Sequence, residues 1–339
     1  MGLLALKGQR RARVRVKSEV KRVLLFSCFL LFFSRAFVVV DVSSCVQECI
    51  LQRSVKECPI TSLMTLESEW KSLQRYERHL LSVKSRSIGM NRSNRSANRY
   101  TDVIPYDDSI VTLSSGEYIN ASWIEHENVM SGSSTGWIAT QGPLRNTMRQ
   151  FHQLWRDRFR EDLCEVVNII MLTEISEDGR EKCYPYVEEL SRVVGVAERK
   201  HVLGDSDNVV EVREYDLGDG KILRHVWVRH WPDFGIPRKG REHELELELE
   251  HEHRIDNNVI AIEYLSNVDV GKRVCNIVHC SAGVGRSGTF ISLAWSYEGR
   301  DNIYESVRLM RERRPMMVQR FEQYMYLNIE VKRIKCGLL

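Results

Sequence analysis

The stretch VHCSAGVGRSGTF, Val278 to Phe290, sets a cysteine, five mostly small residues and an arginine directly after an apolar run. The preceding RVCNIVH (Arg273 to His279) is short and rich in β-branched residues, which predicts a buried strand. The following RSGTFISLAWSY (Arg286 to Tyr297) predicts a helix whose first turn begins near Arg286. Strand, glycine-rich turn and helix start make an anion cradle. Gly283 and Gly285 let the backbone turn its N–H groups inward. The helix N-terminus adds unpaired donors and partial positive charge. A free thiol has a pKa near ~8.5, and a helix N-terminus or a cation lowers it by several units. The thiolate is the nucleophilic form. Arg286 offers a planar fork to two phosphoryl oxygens at once, which lysine cannot. Cys280 at the floor and Arg286 at the rim therefore describe a site that attacks phosphorus and stabilises equatorial charge. A glycine-rich turn around a structural cysteine accounts for each residue alone, but not for their order.

A thiolate attacking a phosphoester needs a proton donor for the leaving oxygen. RHWPDFGIP (Arg229 to Pro237) supplies a candidate. KILRHVWVRHW predicts a strand, and Pro232 and Pro237 bracket a stiff loop after it. Asp233 sits at the tip beside Trp231 and Phe234. A carboxyl between aromatics holds its proton better than one in water, as a general acid must. Alone, the tripeptide reads as a turn; beside Cys-x5-Arg it reads as the acid.

In this company the chain resembles the classical, phosphotyrosine-specific protein tyrosine phosphatase family, non-receptor type. The likeness runs from about Leu66 to about Lys335. NRYTDVIPYDD (Asn98 to Asp108) is similar to the family's phosphotyrosine loop, and YINAS (Tyr118 to Ser122) and IATQGPL (Ile138 to Leu144) to its core strand and turn. FHQLW (Phe151 to Trp155) and VNIIMLTE (Val167 to Glu174) resemble the next helix and strand. EDGREKC (Glu177 to Cys183) resembles the loop that supports the arginine. RPMMVQRFEQYMYL (Arg314 to Leu327) resembles the glutamine loop and last helix, in wording similar to fungal members that act on kinases.

The resemblance implies an α/β fold, a highly twisted mixed sheet flanked by helices. It also implies roles. Cys280 forms a cysteinyl-phosphate. The backbone amides of Ser281, Ala282, Gly283, Val284, Gly285 and Arg286, with the Arg286 guanidinium, hold the phosphoryl oxygens. Asp233 protonates the departing phenol and then deprotonates the hydrolytic water, which Gln319 and Gln323 position. Ser287 offers its hydroxyl to the thiolate, and His279 tunes it. Glu177 pre-orients Arg286, and Lys182 steadies Asp233. Tyr100 stacks on the substrate ring and makes a pocket too deep for phosphoserine or phosphothreonine. Asp102 binds the substrate backbone. Phe234 and Trp231 flank the acid. No cofactor or metal is implied. The expected partners are phosphotyrosine-containing proteins, kinases among them. Three other readings are set against this one. A phosphotyrosine-binding relative with little turnover usually loses the Cys, Arg or Asp, and all three are present. A dual-specificity phosphatase lacks the NRY loop. A low-molecular-weight phosphatase carries its Cys-x5-Arg near the N-terminus.

The chain has 339 residues, 43% of them hydrophobic, enough for one large α/β domain with its own core. A net charge of +3 gives no reason to expect nucleic acid. Nine cysteines without regular spacing, one of them a free thiolate, point to a reducing, cytoplasmic setting. Cys45, Cys49 and Cys58 lack the CxxC spacing or histidine of a metal site. Leu66, Trp70, Leu73, Tyr76 and Leu80 fall at helical spacing, which predicts an amphipathic helix opening the domain. KSRSIGMNRSNRSA (Lys84 to Ala97) reads as a mobile loop.

The expected division is a catalytic domain over residues 61–339 and a separate segment over 1–60, expected to be disordered. In that segment eight Lys or Arg between Lys7 and Arg22 precede VLLFSCFLLFFS (Val23 to Ser34). The apolar run is short for a span and resembles a signal-peptide core. Membrane contact through residues 23–40 is the less favoured reading, because the charges would place the domain outside the cell. REHELELELEHEHR (Arg241 to Arg254) reads as a charged surface insertion. Two departures from the family bear on the core: the segment from Arg286 to Arg311 is several residues short, and CYPYVEEL lacks the tryptophan usual after its tyrosine.

Overall fold

The computed structural model describes residues 62–125, 135–160, 163–204, 209–231, 256–300 and 302–336. These lie in one compact unit, Cys58–Leu339. Asp233, Phe234, the 241–254 insertion and the basic and apolar segment 1–60 fall outside the described residues, as do Cys45, Cys49 and Cys58.

Helix α1 (Leu63–Val83) opens the fold. Ser62 starts it, its hydroxyl accepting from the Thr65 N–H at 3.3 Å. Leu66, Leu73 and Leu80, seven apart, form its buried stripe. The stretch expected to be a mobile loop instead folds as helix α2 (Ser87–Met90) and a 3₁₀ helix (Arg92–Ala97). Its asparagines explain the difference. Asn91 caps the 3₁₀ helix, Asn94 donates to the Ile88 carbonyl, and Asn98 donates to that of Gly89.

Seven strands form one mixed sheet: β1 (Ala121–Glu125), β2 (Thr135–Thr140), β3 (Val166–Met171), β6 (Glu198–Leu203), β7 (Val210–Asp216), β8 (Ile222–Val228) and β9 (Val274–His279). A separate hairpin pairs β4 (Ser176–Glu177) with β5 (Arg180–Glu181). The order across the sheet is β1-β2-β9-β3-β8-β7-β6. β2, β9, β3 and β8 run parallel, and the flanking pairs are antiparallel. VVNIIM and VCNIVH are buried at every position, as parallel strands covered on both faces require. Alternation along them divides two cores. Ile170, Val226 and Val278 face one, Ile169, Leu223 and Ile277 the other.

Helices α3 (Met148–Arg158) and α4 (Val187–Val194) supply Phe151, Trp155, Tyr186 and Leu190 to the second core. Helices α5 (Asn257–Val268), α6 (Gly285–Tyr297), α7 (Ile303–Arg313) and α8 (Phe321–Lys335) pack on the first. Neither departure opens these cores. Helix α6 is buried from Gly285 to Ser296. It stops at Gly299, which takes φ 89° and so ends the helix left-handed. The missing tryptophan is replaced by Val187, 3% exposed at the start of α4. Among the described residues no helix is long and apolar enough to cross a membrane.

Candidate active site

Cys280 directly follows β9, an interior strand of the sheet, and the chain turns through Gly283 into α6. What this turn does with its carbonyls decides its chemistry. His279 Nδ1 donates to the Cys280 carbonyl at 3.2 Å, and the Gly142 N–H to that of Ser281 at 2.9 Å. Arg314 donates from Nη2 to the Ala282 carbonyl at 3.0 Å and from Nε to that of Gly283 at 2.8 Å. The Val284 carbonyl accepts from the N–H groups of Gly288 and Val318. Five consecutive carbonyls are thus held away from the cradle, which leaves the N–H groups for an anion. Arg314 is fully buried, and burial lowers its pKa to about 10, so it remains a cation at neutral pH.

The thiol is 4% exposed. Burial opposes its ionisation, but the Arg286 charge, the Ser287 hydroxyl and the N–H groups of Ser287 and Gly283 outweigh it and hold the pKa below the ordinary value. The Gly283 N–H donates to Cys280 Sγ at 3.3 Å. Gly283 takes φ 72°, and a β-carbon there would lie 2.0 Å from the Thr140 carbonyl oxygen. Arg286, 2% exposed, forks onto Glu177 at 2.7 and 3.2 Å and onto the Trp231 carbonyl at 2.9 Å. Glu177 is itself held by the Thr173 hydroxyl and the Glu174 N–H.

Tyr100 stands beside the cradle, its hydroxyl 2.8 Å from Ser281 Oγ. Arg99 fixes it there by donating to the carbonyls of Gly142, Pro143 and Glu181. Asp102 is exposed two residues on. Gln319 and Gln323 both approach Gly285, where a β-carbon would lie 3.1 Å from Gln323 Nε2 and 3.4 Å from Gln319 Cβ. Gln323 Oε1 is committed to the N–H groups of Gln319 and Arg320, so this side chain also starts α8. Lys182 is buried at the end of the hairpin, while its expected partner Asp233 lies outside the described residues. Trp231 is 3% exposed at the base of that loop. The base is tied by Arg229, paired with Glu174 and Glu211, and by Asn257, which donates to the Arg229 carbonyl.

Sequence reasoning did not single out Arg99, Arg314, Glu174, Asn257, Tyr186 or His225. Arg99 lies in NRYTDVIPYDD and Arg314 opens RPMMVQRFEQYMYL, and an arginine within such a motif is the one sign in the sequence that points to them. Among the described residues Cys164, Cys183, Cys275 and Cys280 are free, buried thiols. Among the described residues no group of three His, Cys, Asp or Glu is placed to hold a metal.

Residues 94–330 match the family described as protein-tyrosine phosphatase. Receptor-type tyrosine-protein phosphatase eta of Mus musculus is 32% identical over 251 residues, covering 69% of this chain and 18% of that protein. Tyrosine-protein phosphatase 1 of Caenorhabditis elegans is 32% identical over 254 residues, 69% of this chain and 22% of that protein. This chain thus spans about a fifth of the length of these relatives. The catalytic domain of human protein tyrosine phosphatase non-receptor type 18 shares the fold, with a TM-score of 0.60 at 24% identity over 80% of this chain and 96% of that one. The same phosphatase has been solved in complex with HER2 phosphopeptides.

Proposed function

Because the chain belongs to the protein-tyrosine phosphatase family, we propose that it hydrolyses phosphotyrosine in proteins through a cysteinyl-phosphate intermediate. The observation that carries this reading is the turn that leads from Cys280 to Arg286, in which the five carbonyls of Cys280 to Val284 are engaged away from the cradle beside a thiol held acidic. The thiolate attacks phosphorus as the P–O bond to tyrosine breaks. Asp233 gives its proton to the phenolate oxygen. Water then attacks the same phosphorus, the S–P bond breaks back to thiolate, and Asp233 recovers a proton from that water. Gln319 and Gln323 orient the water. Inward N–H groups and Arg286 hold the equatorial oxygens in both steps, where charge develops. Glu177 holds the guanidinium in place before substrate arrives. Tyr100 walls the pocket to the height of a phenyl ring. The electrostatic work is done by thiolate, amides and guanidinium, so turnover needs no metal.

Kinases are the narrower substrate class suggested by the wording of the glutamine loop. We also propose that the catalytic unit is residues 61–339, with 241–254 an insertion in it.

The test is hydrolysis of matched phosphotyrosine, phosphoserine and phosphothreonine peptides by the full chain, with EDTA present. Strong preference for phosphotyrosine is expected, and comparable rates on phosphothreonine would overturn the pocket-depth argument. Asp233→Ala is expected to cut turnover by roughly 10²–10⁴-fold, the usual worth of a general acid. It should retain phosphotyrosyl proteins that vanadate releases. Full activity in this variant would remove Asp233 from the mechanism.

A further inference from the structure

On the sheet face away from α6 lies a row of three fully buried polar rings, of which His279 alone has been given a role. His225 on β8 and His279 on β9 lie on this same face, on either side of β3. Tyr186, at the start of α4, bridges them. Its hydroxyl is 3.0 Å from His225 Nε2 and 2.7 Å from His279 Nε2. His279 Nδ1 reaches the Cys280 carbonyl at 3.2 Å. His225 and His279 are both 0% exposed, and so is Tyr186.

The proton positions in this row follow from one contact. A carbonyl oxygen only accepts, so His279 Nδ1 carries hydrogen. Burial keeps His279 neutral, with its pKa down to about 4, so its Nε2 is bare and must accept. The Tyr186 hydroxyl therefore donates to His279 and has no second proton to give. His225 Nε2 must then donate to the Tyr186 oxygen, and His225 Nδ1 is left bare. That last atom is buried without a hydrogen-bond partner among the described residues. A bare ring nitrogen is the less costly group to strand, since an unpaired buried N–H would forfeit its full solvation.

We propose that His225 is a positioning residue for Cys280: through Tyr186 it holds His279 in the Nδ1–H form, in a one-way hydrogen-bond chain that ends on the Cys280 carbonyl. Every donor in the chain points towards the Cys280 carbonyl. Each donor also polarises the next, which strengthens successive bonds by roughly 10–30%. The inference rests on Cys280 as the nucleophile, but not on turnover.

Tyr186 faces His225 from α4, and His279 faces it from β9. Arg213, its partner across β7, is engaged by Glu188 and Glu198. Cys183 and Tyr215 lie near Tyr186, and burial holds all three of these groups protonated at neutral pH. Around the thiol itself stand Arg286, Arg314 and Ser287.

The experiment measures alkylation of Cys280 by iodoacetamide against pH in the full chain. The variants are Tyr186→Phe, His225→Leu and His225→Gln. Gln can place an N–H near the lost Nε2 position; Leu cannot. Tyr186→Phe and His225→Leu should each raise the alkylation midpoint, by roughly 0.3–1 unit for the loss of cooperative polarisation. His225→Gln should restore it. A merely structural role would lower thermal stability in His225→Leu without moving the midpoint, and that result overturns the proposal. Nitrogen-15 spectra of the unmodified protein decide independently of whether any variant folds. His279 protonated on Nδ1 and His225 on Nε2 are expected, and any other pair of tautomers refutes the chain. An unshifted midpoint alongside normal phosphotyrosine turnover would sink this inference and leave the assigned reaction standing.

Discussion

Gly283→Ala puts the cradle under the most direct test. The backbone at Gly283 takes φ 72°, where an L side chain costs about 1–2 kcal/mol. The new β-carbon would also lie 2.0 Å from the Thr140 carbonyl oxygen, 2.4 Å from its carbon and 2.9 Å from the Gln141 nitrogen. All three are backbone atoms at the end of β2, so no side chain can swing aside. Relief needs the turn to move by about 1 Å, and overpacking of this kind costs about 1–3 kcal/mol. Together the two effects come to about 2–5 kcal/mol, or roughly 4–15 °C in melting temperature for a domain of this size. The catalytic loss should be larger in proportion, because a 1 Å misplacement of a reacting group can cost about 10²-fold. Gly218→Ala is the control. Gly218 has φ 82° with nothing within 4 Å of an added β-carbon, so it carries the conformational cost without the clash. The assays are thermal unfolding and kcat/KM on a phosphotyrosine peptide. If Gly283→Ala destabilises no more than Gly218→Ala and keeps kcat/KM within about threefold of the parent, well short of that 10²-fold, the turn is not wedged against β2 as argued.

Other consequences can be measured on the same protein. Tyr100→Ala removes a wall and no reacting group, so KM should rise more than kcat falls; an equal fall in kcat and kcat/KM would make it a transition-state contact instead. Arg314→Met strands the carbonyls of Ala282 and Gly283, each worth about 1–3 kcal/mol, and should weaken vanadate binding along with stability. Unchanged vanadate affinity would mean the carbonyls hold their direction without it. His279 is a base whose folded pKa, about 4, lies below its ordinary 6.5, so the unfolded chain binds the extra proton. Its contribution to stability is full above pH 6.5 and is lost as pH falls towards 4, by roughly 3 kcal/mol in all. Urea titrations at several pH values should show that loss in the parent, and a flatter profile over the same window in His279→Asn.

What the chain disclosed in advance follows its local chemistry. The strand, turn and helix around Cys280 were legible because each depends on neighbouring residues: an apolar run, two glycines, a helix start. Glu177 and Arg286 were joined only through family likeness, since 109 positions separate them. The Tyr186 bridge was not legible at all. Tyr186 and His279 are 93 positions apart, and nothing in either segment announces the other. Lys84 to Ala97 was misjudged for a different reason. Serine and asparagine suit both loops and helix caps, and only the carbonyls they meet in the fold decide between the two.

The place of β9 in the sheet has a consequence for how the site comes into being. It is the last of the described strands, yet it sits between β2 and β3, and Asn276 meets Asn168 across 108 positions. Strands with such distant partners pay the loop entropy before the contacts repay it, and they join late and slowly. Until β9 is seated, Cys280 is an ordinary thiol near ~8.5, because the arginine, the inward amides and the helix start have not yet converged on it. Reactivity is thus acquired with the closing of the sheet. A nascent chain carries a cysteine that is slow to be oxidised, and the finished protein carries one that is quick.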